Sequence, residues 1–149
     1  MPMVNLVELD LSYTRFCDAD LGIISRGMSR LHSLEKLNLS STCYSAEGAR
    51  RVAGVIRHTP LLSKLTLSSN SFGLDGTKLL CRELRRLPLL MELDLQENDI
   101  PLAGIVAISK SLVNLTSMYR LDLGSNISPS DVRKFADNYQ HLYHRRCYI

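Results

Sequence analysis

Long hydrophobic runs are absent from the 149-residue chain. With no stretch of about 18 apolar residues, nothing in it reads as a membrane-spanning helix. Met1-Pro-Met-Val-Asn5 has neither the charged leader nor the apolar core of a secretory signal, so a secretory protein is not expected. Cysteine is confined to Cys17, Cys43, Cys81 and Cys147, with no Cys-x-x-Cys pair and no framework at either end. Reduced thiols in an intracellular, cytoplasmic protein are therefore expected. Histidine is scarce, limited to His32, His58, His141 and His144, and no serine or cysteine elbow lies beside it. No glycine-rich phosphate loop follows a strand pattern, so an enzyme is not expected and neither is a cofactor. The excess of base over acid, 18 against 15, is too small to name a partner by itself.

What the chain does have is a repeat. Leu62, Leu65, Leu67 and Asn70 form Leu-x-x-Leu-x-Leu-x-x-Asn, and the frame returns at Leu90, Leu93, Leu95, Asn98 and at Met118, Leu121, Leu123, Asn126. Upstream it occurs at Leu34, Leu37, Leu39, Thr42 and at Leu6, Leu9, Leu11, Thr14. The five starts, 6, 34, 62, 90 and 118, are each 28 residues apart without an insertion. Such a fixed period is the signature of stacked units. The whole chain, 1–149, reads as one domain, its last repeat and tail forming the C-terminal cap.

Within a unit the first residues alternate as a half-buried strand does, Leu65 and Leu67 inward, Lys64, Thr66 and Ser68 outward. The asparagine falls where the chain leaves the strand, and its carboxamide can serve backbone groups buried in the turn. Thr14 and Thr42 replace it in the first two units, so a weaker ladder is expected there. Behind Gly48, Gly76 and Gly104 come apolar pairs at helical spacing, Val52 with Ile56, Leu80 with Leu84, Ile108 with Leu112. Those glycines are expected to let each helix pack closely on its strand. Ala53, Cys81 and Ser109 share a column of small residues, which makes Cys81 a packing residue. Sequons at Asn38, Asn114 and Asn126 read as chance matches, Asn126 being the repeat's own asparagine and Asn38 part of a strand.

A strand, a turn and a helix in each 28-residue unit resemble the ribonuclease-inhibitor-like subtype of leucine-rich repeats, from about Leu6 onward. The resemblance implies an α/β solenoid, a horseshoe arc with a parallel β-sheet on its concave face and α-helices on its convex face. It also implies protein binding through the concave sheet. Two departures qualify the frame. Asp20 stands at the glycine position of the first unit with Gly22 two places later, so the first helix is expected to start late. Met1 to Asn5 is too short to cap an apolar end, so the first unit is expected to be exposed. At the other end Ser128 or Ser130 can cap a closing helix from about Asp131. The tail is expected to fray. Its His141, His144 and Cys147 are spaced by threes, but a structural zinc site needs a fourth ligand, so no metal is expected.

Two surfaces are candidates for binding. On the strand face the candidates are Glu92, Asp94, Gln96, Tyr119, Arg120 and Asp122, on a sheet surface with seven acids and three bases. Among its exposed places only Tyr13, Tyr119 and Arg120 are of the types that dominate interfaces. Positions 17 to 25 of units two to four, in the helical part of each unit, carry eight bases, Arg50, Arg51, Arg57, Lys78, Arg82, Arg85, Arg86 and Lys110, against Glu83 alone. Arg50 and Lys78 share one column, Arg57 and Arg85 another, so these four are expected to form one patch. The leading expectation is a non-enzymatic protein–protein interaction module, a scaffold or assembly subunit with a protein partner. One alternative is attachment to an anionic polymer or ribonucleoprotein through the basic helices, a backbone contact without aromatics for base stacking. The other is a GTPase-activating regulator, for which Arg15 is the one candidate arginine.

Overall fold

The computed structural model describes residues 5–16, 18–42, 45–113, 115–128, 130–131 and 147–148. Its elements alternate: β1 Glu8–Asp10, α1 Asp18–Met28, β2 Lys36–Asn38, α2 Ala46–Ile56, β3 Lys64–Thr66, α3 Gly73–Leu84, β4 Glu92–Asp94, α4 Leu102–Leu112, β5 Arg120–Asp122 and β6 Cys147–Tyr148. The strands form one sheet in the order β1-β2-β3-β4-β5-β6, and every neighbouring pair is parallel. From β1 to β5 the register is the repeat itself: Leu9, Leu37, Leu65, Leu93 and Leu121 lie side by side. A parallel sheet needs a crossover between strands, and each of the first four units supplies one as a helix of 11 or 12 residues.

The core lies between the sheet and the helices. Leu37, Leu65, Leu93 and Leu121 are buried from the strands, and Val52, Ile56, Leu80, Leu84, Ile108 and Leu112 from the helices. Leu6, Leu9 and Leu11 of the first unit are only partly buried.

The asparagines bridge units. Asn70 Nδ2 donates to Leu67 O of its own unit at 2.8 Å and to Leu39 O of the preceding one at 2.9 Å, while its Oδ1 accepts from Thr42 N–H at 2.9 Å. Asn126 repeats this with Leu123 O, Leu95 O and the N–H groups of Asn98 and Ile100. The Thr42 hydroxyl returns to Leu39 O of its own strand at 2.5 Å, and Thr14 does the same with Leu11 O. These two hydroxyl bonds lie within their own units, where the asparagine amides reach into the preceding one.

The turn after each strand bends through the left-handed region. Tyr13, Ser41, Ser69, Glu97 and Ser125, one per unit at the same place, have φ between 51° and 60°. None is glycine. Arg15, Ser71 and Asp99, two places later, share the sign of φ.

Three expectations need correction. The first helix does not start late: α1 begins twelve residues after Leu6, the same offset at which α2 follows Leu34 and α4 follows Leu90. The glycine column explains why. A Cβ on Gly76 would come within 2.9 Å of Ala49 Cβ on α2 and 3.0 Å of Phe72 Cβ, and one on Gly104 within 2.6 Å of Ile100 Cγ2. The close packing is thus against the preceding helix and the unit's own turn, and not against the strand. Among the described residues no helix precedes α1, so Asp20 meets no such wall.

The tail corrects the third expectation. Cys147 and Tyr148 do not fray but add β6 beside β5, Cys147 opposite Leu121 and Tyr148 opposite Asp122. With Cys147 on a strand, the helical spacing behind the three-ligand idea fails, while His141 and His144 lie outside the described residues. Ser128 Oγ accepts from Asp131 N–H at 3.3 Å, the cap expected for a helix there. Residues 132–146 lie outside the described residues.

Candidate functional site

The concave face is built by the outward positions of short strands, so its side chains stand in columns one strand apart. Glu8, Lys36, Lys64, Glu92 and Arg120 form one column, Asp10, Asn38, Thr66, Asp94 and Asp122 the next. Charges of opposite sign meet across neighbouring strands: Lys36 Nζ lies 3.1 Å from Glu8, and Lys64 Nζ 3.3 Å from Glu92. Glu92 is the hub at the β4 end. Tyr119 donates its hydroxyl to Glu92 Oε1 at 2.6 Å, and Arg120 approaches Oε2 at 3.9 Å and Asp122 at 3.7 Å.

These contacts set the carboxylates apart. The Tyr119 hydroxyl bond, helped by Lys64, holds Glu92 below the usual glutamate range despite its partial burial. Burial pushes Asp94 the other way, upward, and the neighbouring Asp122 adds to the shift, while the Gln96 N–H at 3.0 Å from Asp94 Oδ1 partly offsets it. Five of the six strand-face candidates are therefore one connected cluster. Gln96, the sixth, follows β4 and occupies the space left open by Gly124, whose added Cβ would lie 3.5 Å from Gln96 Cγ.

Beside this cluster is a rim that the sequence reading did not single out. Leu61, Leu89 and Met91 are 42%, 44% and 44% exposed, and Tyr119 is 48% exposed. Met91 and Tyr119 occupy the same unit position just ahead of β4 and β5, joined by Tyr119 N–H to Met91 O at 3.0 Å. Leu61 and Leu89 share the last position of units two and three, just ahead of the starts at Leu62 and Leu90. The signal was present as apolar residues outside the strand alternation. It was hidden because attention to the leucine frame treats them as spacers.

The helix side departs from its expectation. Arg57, the C-cap of α2, grips Glu83 of α3 with Nη2 to Oε1 at 2.8 Å, and Arg86 reaches the same carboxylate at 2.9 Å. Arg50 and Arg51 both pair with Glu47, at 3.0 and 2.9 Å. Glu47 lies one turn ahead of them, outside the segment in which bases were counted. Arg50, Arg57, Lys78 and Arg85 thus do not form one uncompensated patch. Lys78, Arg82, Arg85 and Lys110 remain without an ion-paired carboxylate among the described residues. Arg85 is the C-cap of α3, and Arg82 and Lys110 stand in the last turns of α3 and α4, where a cation complements the helix dipole.

Arg15 sits in the turn after β1, far along the sheet from the Glu92 cluster. Cys81 is buried, and burial pushes its thiol upward, away from the reactive thiolate. Among the described residues no group of three or more His, Cys, Asp or Glu side chains could hold a metal, and no helix is long and apolar enough to cross a membrane.

Comparison with known proteins agrees with this architecture. Residues 86–109 match a family model described as Leucine Rich repeat. No curated protein sequence matches the chain. Among solved structures, the tropomodulin C-terminal domain of Caenorhabditis elegans aligns with a TM-score of 0.72 at 17% identity, over 97% of this chain and 88% of that one. Leiomodin-1 actin-binding site 2 aligns with a TM-score of 0.69 at 16% identity, over 95% of this chain and 82% of that one. The leucine frame repeated five times, the strand–helix units stacked in that frame and these matches agree on a leucine-rich repeat fold.

Proposed function

We propose that the protein is a non-catalytic interaction module, an assembly subunit that binds a protein partner through the β3 to β5 end of its concave face. The observation that carries this reading is the Glu92 hub. An exposed tyrosine and an exposed arginine, Tyr119 and Arg120, are fixed by one carboxylate beside Met91, Leu89 and Leu61. Anchors held in place before binding lose little entropy on association, and aromatic and arginine side chains beside apolar surface are the usual centres of an interface. The helix face has less to offer, since Glu47 and Glu83 already compensate four of its arginines.

Actin is the first probe, because the leiomodin-1 neighbour is described as an actin-binding site. Co-sedimentation with actin filaments, and cross-linking mass spectrometry of complexes formed in cell extract, would be run on two variants. In one, Tyr119→Ala and Arg120→Ala are combined; in the other, Lys78→Gln, Arg82→Gln, Arg85→Gln and Lys110→Gln. The reading expects a partner lost by the first variant and kept by the second. The opposite pattern, or cross-links confined to α2, α3 and α4, would overturn it.

A further inference from the structure

We propose that the concave groove over β2 and β3 receives a single carboxylate side chain of the bound protein, held between Lys36 and Lys64 above Thr66. This rests on the concave-face reading and adds the chemistry of one residue of the partner.

The groove has a volume of about 380 Å³ and is lined by Glu8, Asp10, Lys36, Asn38, Lys64 and Thr66 among others. Lys36 and Lys64 are directly opposite each other on adjacent parallel strands. Like charges so placed, with backbones about 4.8 Å apart, repel. The structure relieves this by splaying them: Lys36 turns to Glu8 on β1 at 3.1 Å and Lys64 to Glu92 on β4 at 3.3 Å. The gap between the two stems is the groove.

Its floor is formed by Asn38 and Thr66, themselves opposite each other. Asn38 is committed, its Nδ2 donating to Asp10 and its Oδ1 accepting from the Ser40 backbone and hydroxyl. Thr66 is half-buried, and among the described residues its hydroxyl has no hydrogen-bond partner. Each ammonium has three donors and uses one on its glutamate. A carboxylate entering the groove finds unused N–H donors on both lysines and the Thr66 hydroxyl, and either ammonium can turn toward it while keeping its own glutamate as a neighbour.

The charge of the surroundings selects a monoanion on a protein over a phosphate chain. The concave face carries seven acids and three bases, and Glu8, Asp10, Glu92 and Asp94 flank the groove. A polyanionic backbone is repelled there, whereas one carboxylate between two ammonium groups is not. The groove is also two to three strands from Tyr119 at β5. That is about 10–14 Å, the reach of three or four residues in an extended segment, so an acid about three or four residues from the Tyr119 contact suits a segment crossing the strands.

The test uses the full chain, labelled with ¹⁵N, and three probes: a blocked Gly-Gly-Glu-Gly-Gly peptide, which carries one carboxylate, the same peptide with glutamine at its centre, and inorganic phosphate. The glutamate peptide is expected to shift the backbone amides of Lys36–Asn38 and Lys64–Thr66 saturably, and the glutamine peptide is not. The Lys36→Gln, Lys64→Gln double variant should weaken that binding by about tenfold, the range for losing close charge pairs across an interface. Thr66→Val, which leaves both lysines and their ion pairs in place, should weaken it by about threefold through one lost hydrogen bond. Retained dispersion of the amide spectrum shows that each variant is folded. Shifts confined to α3 and α4, equal binding of the glutamine peptide, unchanged affinity in both variants, or phosphate saturating the groove below the concentration needed for the glutamate peptide would each overturn the proposal. Loss of the protein partner in the Tyr119, Arg120 variant, with unchanged glutamate-peptide binding in both groove variants, sinks this inference and leaves the concave-face reading standing. A partner held only by the helix face, with the glutamate peptide in the groove as expected, sinks that reading instead.

Discussion

Arg57 and Glu83 join α2 to α3 by a two-pronged ion pair, Nη2 to Oε1 at 2.8 Å and Nε to Oε2 at 3.4 Å. The pair spans two units and takes up the only acid in the basic segment. It also fixes which arginines are available to a partner: reversing Arg57 sets a new carboxylate against Glu83, so such a variant reports on stability as much as on binding.

The first prediction follows from that pair. The Arg57 hydrogen bond, with Arg57 and Arg86 charges behind it, holds Glu83 below its ordinary value of 4.5. A carboxyl whose pKa is lower folded than unfolded contributes stability above its unfolded value and loses it as pH falls through the folded value. Urea midpoints measured from pH 7 down to pH 3 should therefore fall less in Glu83→Gln than in the wild type. Parallel curves would show that the pair contributes nothing to folding.

Glycine substitutions should split by position. A Cβ on Gly54, within α2, meets nothing within 4 Å, so Gly54→Ala should gain about 0.5–1 kcal/mol from helix propensity. Gly76→Ala should instead lose roughly 1–3 kcal/mol, because its methyl collides with Ala49 and Phe72. Thermal melts of the two variants moving in the same direction would contradict the helix-to-helix role of this column.

The asparagines should not be equivalent. Replacing Asn126 by leucine removes the acceptor of the Asn98 and Ile100 N–H groups, at roughly 1–3 kcal/mol for each donor left unpaired. Asn98 donates to Leu67 O, which Asn70 also serves, and to Gln96 O, which Ser69 N–H also serves, while its own Oδ1 is buried without a partner. Asn98→Leu should thus cost less than Asn126→Leu in chemical denaturation. Equal losses would mean that the ladder acts as a whole and not bond by bond.

Asp94 should trade stability against binding. Its pKa is raised by burial and by Asp122, so the folded state holds the proton more tightly and this carboxylate costs stability as pH rises through the folded value. Asp94→Asn keeps an oxygen for the Gln96 N–H and removes the charge. It should be more stable than wild type at pH 7, by about 0.5–1 kcal/mol, with the gain vanishing near pH 4. On the concave-face reading the same variant should bind the protein partner more weakly. Unaltered affinity would take Asp94 out of the site.

The leucine frame made most of the fold legible, because a period repeated without insertion determines strand register, helix spacing and the inward set together. Leu37, Leu65, Leu93 and Leu121 align as the frame requires. What escaped depends on neighbours remote in sequence or on the limits of a counting window. Arg57 and Glu83 are 26 residues apart, and Glu47 was left out of the count although it lies one turn from Arg50 and Arg51. The start of α1 was misjudged because a glycine column was read as a requirement of the helix itself, when its cause is the wall formed by the helix before it. The β6 strand was missed since Cys147 pairs with Leu121, 26 residues away, outside the regular frame. At the site, the charged columns were visible, but not the Glu92 hub, which depends on where the Tyr119 hydroxyl points.

The left-handed turn residues bear on how such an array grows. Tyr13, Ser41, Ser69 and Glu97 tolerate a backbone that costs a non-glycine residue about 1–2 kcal/mol, and each donates its N–H to the following unit, at Ser40, Ser68, Gln96 and Gly124. Ser125 bends in the same way, and across the five units tyrosine, serine and glutamate all make the turn, so the bend owes little to the side chain that sits there. A newly duplicated unit therefore needs no special loop chemistry of its own, and its turn supplies one more N–H for the layer beside it. Gain or loss of whole 28-residue segments is then a tolerated change, while a single residue inserted between strand and helix breaks the template for the layers on both sides.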